Sequence, residues 1–229
     1  WDKNPTINDD CEIKTREKFF GELEGELKKH SKKTILIALH HPMFTNGPHG
    51  GAYNFKKHIF PSKKKIPLPI LGSLATLIRS QGGVSVQDAS NLHYTKLMKR
   101  IATMTRSLDR VIFASGHEHS LQYIDDNGLK QIISGSGSKV SAARLGKDGL
   151  FSYPGQGFAI VDVYKNGASY VRFYAGENGT PKLVYQAQIH KKKEVFDYSA
   201  YKNSFKCELS ASIYNNEEVK KSMMFQALW

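Results

Sequence analysis

Cysteine is scarce in this 229-residue sequence: Cys11 and Cys207 stand far apart and outside any Cys-x-x-Cys pair. That excludes a cysteine zinc site and leaves the redox compartment open. Also missing is any apolar run of roughly eighteen residues, so the sequence contains no transmembrane helix. The opening Trp1-Asp2-Lys3-Asn4-Pro5 has no initiator Met and neither the basic start nor the apolar stretch of an export signal, and it reads as a piece whose beginning lies elsewhere. Acidic residues are few. Against 21 of them stand 33 Lys and Arg, a net charge of +12, which favours anionic partners such as phosphate esters, nucleic acid or an acidic membrane surface. With 40% hydrophobic and 24% charged residues, the rest is the composition of an ordinary globular domain with one substantial core.

Between Thr15 and His30 the apolar residues Phe20, Leu23 and Leu27 recur at helical spacing. Thr34-Ile35-Leu36-Ile37-Ala38-Leu39 then forms a short continuous apolar run, expected to be a strand covered on both faces, and it ends in His40-His41-Pro42. Gly/Pro punctuation from Asn46 to Gly51 opens a long segment to about Ser90, read as irregular, with Lys63-Lys64-Lys65 and an apolar stretch from Leu68 to Ile78. Tyr94, Leu97, Ile101, Met104 and Leu108 predict a second amphipathic helix packed on the core. Another buried strand, Val111-Ile112-Phe113-Ala114, leads into Ser115-Gly116-His117-Glu118-His119. Beyond it, Asp126-Asn127-Gly128, Asn166-Gly167 and Asn178-Gly179 separate alternating runs, which predicts an antiparallel meander. From His190 to Trp229 the chain reads as a polar tail or linker.

Two modules share one design, an apolar strand followed by a turn bearing histidines. In open α/β sheets ligands bind at the carboxyl ends of the strands, so His40 and the pair His117/His119 are placed to meet. Neutral imidazole suits Zn, Fe and Mn-type ions, Gly116 would permit the sharp turn, and Glu118 should point away.

The sequence resembles the calcineurin-like metallophosphoesterases, their purple acid phosphatase-like branch in particular. The resemblance rests on Ile37-Ala38-Leu39-His40-His41-Pro42, on Gly116-His117-Glu118-His119 followed by Leu121-Gln122-Tyr123, on Ser134-Gly135-Ser136-Gly137 and on Gly157-Phe158-Ala159, and spans roughly residues 15–189. It implies an α/β fold, the C-terminal part of a four-layer α/β/β/α sandwich, over 1–190, with an insertion at about 53–90 and a tail at 191–229. It further implies phosphoester hydrolysis at a dinuclear centre of two divalent or mixed-valence ions (Fe, Zn or Mn), with His40 and His117 on one metal and His119 on the other. His49, in Gly47-Pro48-His49-Gly50, is similar to the family histidine beside the substrate phosphate, and His41 to a supporting residue.

The departures matter as much. The family's Gly-Asp and Gly-Asn-His blocks, which supply the bridging carboxylate and further ligands, have no counterpart here, and Asp9 and Asp10 match neither. Activity is therefore expected only with an N-terminal segment of the same protein, and a non-catalytic binding or scaffolding module with a basic surface is the alternative. Family habit points to a secreted, periplasmic or outer-membrane location, with a membrane-embedded barrel domain as a further partner. The insertion is read as a lid, a docking element or a membrane contact, with a buried structural excursion as the alternative to all three. Nucleic acid is a disfavoured partner, because the Lys runs lack interleaved aromatics.

Overall fold

A computed structural model describes residues 11–60, 66–83, 85–146, 148–177, 179–193 and 220–225. The chain begins with α1 (Arg16–Lys29), whose first turn is closed by Thr15: its side-chain oxygen accepts the Lys18 amide at 3.1 Å. Strand β1 (Ile35–Leu39) follows, then helices α2 (Phe55–Ile59), α3 (Pro69–Gln81) and α4 (Leu92–Thr105), strand β2 (Val111–Ser115) and strands β3 (Leu121–Asp126) to β5. The remaining strands are β5 (Gly149–Tyr153), β6 (Gly157–Tyr164), β7 (Ser169–Glu177), β8 (Thr180–His190) and β9 (Lys220–Phe225), with β4 (Leu129–Ser134) between β3 and β5.

They form two sheets. The first has the order β1-β2-β4-β3-β5 and the second β8-β7-β6-β9. Strand β2 runs parallel to both β1 and β4, while β3 pairs antiparallel with β4 and β5. The strands beyond β2 pair with one another antiparallel, as expected, and β2 joins them through its parallel pairing with β4. Every pair within the second sheet is antiparallel.

Alternation along β2 explains why the strand is apolar throughout. Val111 and Phe113 face α1 and α4, packing with Phe20, Met98, Ile101 and Leu129. Ile112 faces the other way, into the layer between the sheets with Leu121, Ile132, Val161, Val171 and Phe173. Helices, first sheet and second sheet are thus three layers of an α/β/β/α arrangement. Among the described residues no helix covers the outer face of the second sheet.

The turns follow the local chemistry. Asn127 and Gly128, between β3 and β4, have φ of 51° and 90°, the left-handed pair a tight hairpin needs and that Asn-Gly supplies at least cost. Gly167 and Gly179 have positive φ between β6, β7 and β8.

Several expectations change. Strand β1 is half-buried rather than covered, with Ala38 exposed, because among the described residues it pairs on one side only and forms a sheet edge. The segment read as irregular holds two helices, α2 and α3. On α4 the buried line is Tyr94, Met98, Ile101 and Thr105, and Leu97 is exposed: the helix is rotated by about one position from the apolar stripe, since Thr105 can bury by donating its hydroxyl to the Ile101 carbonyl at 2.9 Å. Residues 220–225 of the sequence read as tail pair with β6 as β9. Asp9, Asp10 and Lys63-Lys64-Lys65 lie outside the described residues. No helix among the described residues is long and apolar enough to cross a membrane.

Candidate metal centre

Strands β1 and β2 lie side by side and parallel, with Leu39 opposite Ser115, so the segments leaving their carboxyl ends emerge together. The first carries His40 and His41, the second His117 and His119. Tyr94 of α4 donates its hydroxyl to the Pro42 carbonyl and fixes the first turn from below. A buried amide ties the two turns together: Gln131 of β4 accepts the Met43 amide at 2.7 Å through Oε1 and donates Nε2 to Ser115 Oγ at 2.9 Å. Gln122 of β3 likewise accepts the Asn46 amide at 2.8 Å. Both glutamines are fully buried; their polar atoms replace solvent as partners for loop amides, which is the condition for burying them.

Left-handed backbone at this site occurs at His117 itself, with φ 62°, and not at Gly116. A side chain at such a φ costs roughly 1 kcal/mol or more, a strain typical of functional positions. The imidazole that this backbone carries sits among the other histidines. There His117 Nδ1 lies 3.2 Å from His40 Nε2, one nitrogen donating and the other accepting. The His117 ring centroid is 4.0 Å from that of His41 and 4.1 Å from that of His49.

The ligand-capable nitrogens of His40, His41 and His117 all fall within 4.8 Å of one another, and among the described residues this is the one such group of metal-ligating side chains. His41, read from the sequence as a supporting residue, is therefore one of the three. His119 is not; its carbonyl accepts the Ser141 amide at 2.7 Å. The crowding has an electrostatic consequence. Burial, followed by the neighbouring His49 and His41, pushes the His117 imidazole down to about 4, and burial also lowers His41 and His119. Neutral imidazoles are the form in which histidine binds metal.

Two acids organise the rim, and of these the sequence reading missed Asp88. Glu118 does point away from the histidines, but into the protein: it is buried, and its Oε1 accepts the Thr45 hydroxyl at 2.9 Å and the His49 amide at 2.8 Å. Burial raises its carboxyl above the usual range. The 45–49 loop wraps this carboxylate so closely that a Cβ on Gly47 would sit 2.4 Å from it. Asp88, also buried, holds His49 Nδ1 at 2.8 Å and the Arg79 guanidinium at 3.0 and 3.3 Å. The Ser134-Gly135-Ser136-Gly137 motif has a packing reason, since a Cβ at Gly135 would meet the Glu118 carbonyl at 2.1 Å. The signal for the buried pair of glutamines was present as polar residues inside apolar strands; Asp88 carried none.

As a donor set, three imidazole nitrogens from two rigidly tethered turns fit one borderline transition-metal ion with room for a further ligand. No carboxylate belongs to the group.

No protein-family model matches the sequence, and no curated protein matches it. Among solved structures, GAP50, the anchor in the inner membrane complex of Plasmodium, is similar over 82% of this chain and 48% of its own, with 19% identity and a TM-score of 0.49. Wild-type Vps29 complexed with Zn2+, from Entamoeba histolytica, is similar over 40% of this chain and 47% of its own, with 20% identity and a TM-score of 0.28. The chain spans about half the length of each. At such scores the likeness is one of partial shape and says nothing of activity.

Proposed function

We propose that this chain supplies the imidazole side of a metal-dependent phosphoester-hydrolysing site. The observation that carries the reading is the His40, His41 and His117 group, presented at the carboxyl ends of two neighbouring parallel strands. His40, His41 and His117 would hold an ion whose contribution is to polarise a phosphoryl oxygen. His119 would serve a second ion, with carboxylate ligands contributed by an N-terminal segment of the same protein. Strand β1 supports that arrangement: it is an apolar parallel strand at a sheet edge, where further strands of such a segment would pair.

His49 is the residue for proton work. Asp88 holds its Nδ1, which fixes the ring; when the ring is doubly protonated, Nε2 would donate a hydrogen bond to a phosphoryl oxygen or a proton to a departing alkoxide. The basic surface of the chain, with its net charge of +12, would draw in an anionic substrate.

The second reading is a non-catalytic scaffold that keeps the fold and the basic surface. It is favoured by the engagement of both nearby acids, Glu118 and Asp88, in holding loops and not in the histidine group. One experiment separates the two. Zn2+ or Mn2+ binding is followed by calorimetry and elemental analysis on the wild type and on His117→Ala, with p-nitrophenyl phosphate hydrolysis assayed in the presence and absence of the upstream segment. Bound ion lost in His117→Ala, with turnover once the segment is supplied, upholds the hydrolase. Metal binding without turnover in the completed protein moves the reading to the scaffold, and no metal binding at all removes the metal centre.

A further inference from the structure

Helix α3 faces the wrong way for a core helix. Its 13 residues bury only Gly72 and Thr76. Gly72 packs on α2 so tightly that a Cβ there would lie 2.1 Å from the His58 carbonyl oxygen. Thr76 Oγ1 is 3.2 Å from His58 Nδ1. With the small and polar residues turned inward, the apolar ones are turned out: Ile70 is 83% exposed, and Leu71, Leu74, Leu77 and Ile78 are each at least 50% exposed. Phe55, at the start of the adjoining α2, is 77% exposed. An outward apolar stripe of this size needs a covering phase.

The surrounding charge says which phase. Lys56 and Lys57 of α2 are exposed beside the stripe. Across the whole sequence from Leu27 to Gln87 there is no Asp or Glu, and Lys63-Lys64-Lys65 adds further positive charge between the two helices. A second copy of the same face would bring these cations against each other in an isologous pair. An apolar stripe flanked by cations and free of acids is instead the pattern of a helix lying in the headgroup region of an anionic bilayer. We propose that α3 docks this protein on the surface of an anionic phospholipid membrane, apolar side down. The docking helix is not loosely hung. Arg79 grips Asp88, which holds His49, and Ser80 abuts Gly51, so the bilayer would lie beside the loop that borders the histidine group.

The test is flotation of the full chain with vesicles of phosphatidylcholine alone and with about 30% phosphatidylserine. A Leu74→Trp reporter is read for a blue shift of its emission. The expected result is binding to the mixed vesicles only, weakened by salt, about fivefold weaker for each of Lys56→Gln and Lys57→Gln. The Ile70→Ser, Leu74→Ser, Ile78→Ser triple variant should not float. These side chains lie outside the core, so an unchanged far-ultraviolet dichroism spectrum should accompany the loss. The proposal is overturned by no flotation of the wild type, by flotation that survives the triple variant, or by a concentration-dependent dimer in lipid-free buffer that the triple variant abolishes; the last would give the face to a second copy.

Discussion

Helices α3 and α4 are alike in length and amphipathic pattern and opposites in use. Both are amphipathic, of 13 and 14 residues, and they are neighbours in the chain. Helix α4 turns Tyr94, Met98 and Ile101 onto the sheet and builds the core with Phe20, Val111 and Phe113. Helix α3 turns Gly72 and Thr76 inward and leaves its apolar stripe outside. Periodicity reveals that a helix has an apolar face; it does not say which way the face points. What decides here is where the close contacts form. Small residues let α3 approach the α2 backbone, while the large residues of α4 fill the space over β2.

The largest expected difference is in the core. Ile101→Ala removes a side chain that is 3% exposed and should lower unfolding stability by about 3 kcal/mol through lost transfer energy and a residual cavity. Urea unfolding followed by far-ultraviolet dichroism measures it. A loss below about 1 kcal/mol would mean that the apolar face of α4 is no better buried than that of α3, and the contrast would fail.

Next in size is the joint that orients α3. Gly72→Val places a branched side chain where backbone atoms of His58 and Lys57 already lie within 3.0 Å. Backbone cannot swing aside as a side chain can, so the two helices must separate, at an expected cost of about 2 kcal/mol. Amide hydrogen exchange should show faster exchange in residues 69–81 with β2 unchanged. Equal acceleration in both would show that α3 is part of the same cooperative unit as the core.

Acid sharpens the contrast in another way. His117 and His190 each have a folded-state value of about 4, chiefly through burial, against an ordinary value near 6.5. Well above a pH of about 6.5 both imidazoles are neutral folded and unfolded, and the linkage is silent. As the pH falls from there toward about 4, the unfolded chain takes up protons that the folded chain refuses, and stability is lost. Each half-buried ring should contribute about 1 kcal/mol once solvent screening is allowed for. His190→Gln, whose parent donates to or accepts from Ser169 Oγ at 2.8 Å, should flatten the decline between pH 7 and 4 in metal-free buffer. An unchanged slope would assign the acid sensitivity elsewhere. Helix α3 itself carries no group that titrates in that range.

Much of the scaffold was legible because it depends on local chemistry. Apolar runs marked β1 and β2, and Asn-Gly pairs placed the turns after β3 and β6 where φ had to be positive. The convergence of His40 and His117 followed from two parallel strands ending side by side. Less legible was everything decided by a through-space partner. His41 joins the group that could hold a metal and His119 stays outside it, and His117 adopts a left-handed φ, which no spacing announces. Gln131, Gln122, Glu118 and Asp88 support the histidine loops across separations of 39 to 88 residues, and sequence proximity carries no trace of such pairs. The direction of α3 belongs to the same class.

The smallest expected effect is the most telling for the pair of helices. Leu74→Ser on α3 changes a residue of the same type and helical setting as those that hold α4 in place. Because half of its surface is already in water, little apolar area is returned to solvent when the chain folds without it, and the polar replacement gives up only a weak helix preference. The unfolding free energy should therefore change by less than about 0.5 kcal/mol, several-fold less than for Ile101→Ala. A near-zero change in stability combined with lost vesicle binding would show that the stripe is kept for something other than folding. A change as large as that of a core leucine would mean that α3 packs against the protein in solution, and the outward-facing stripe would have to be reassigned to the core.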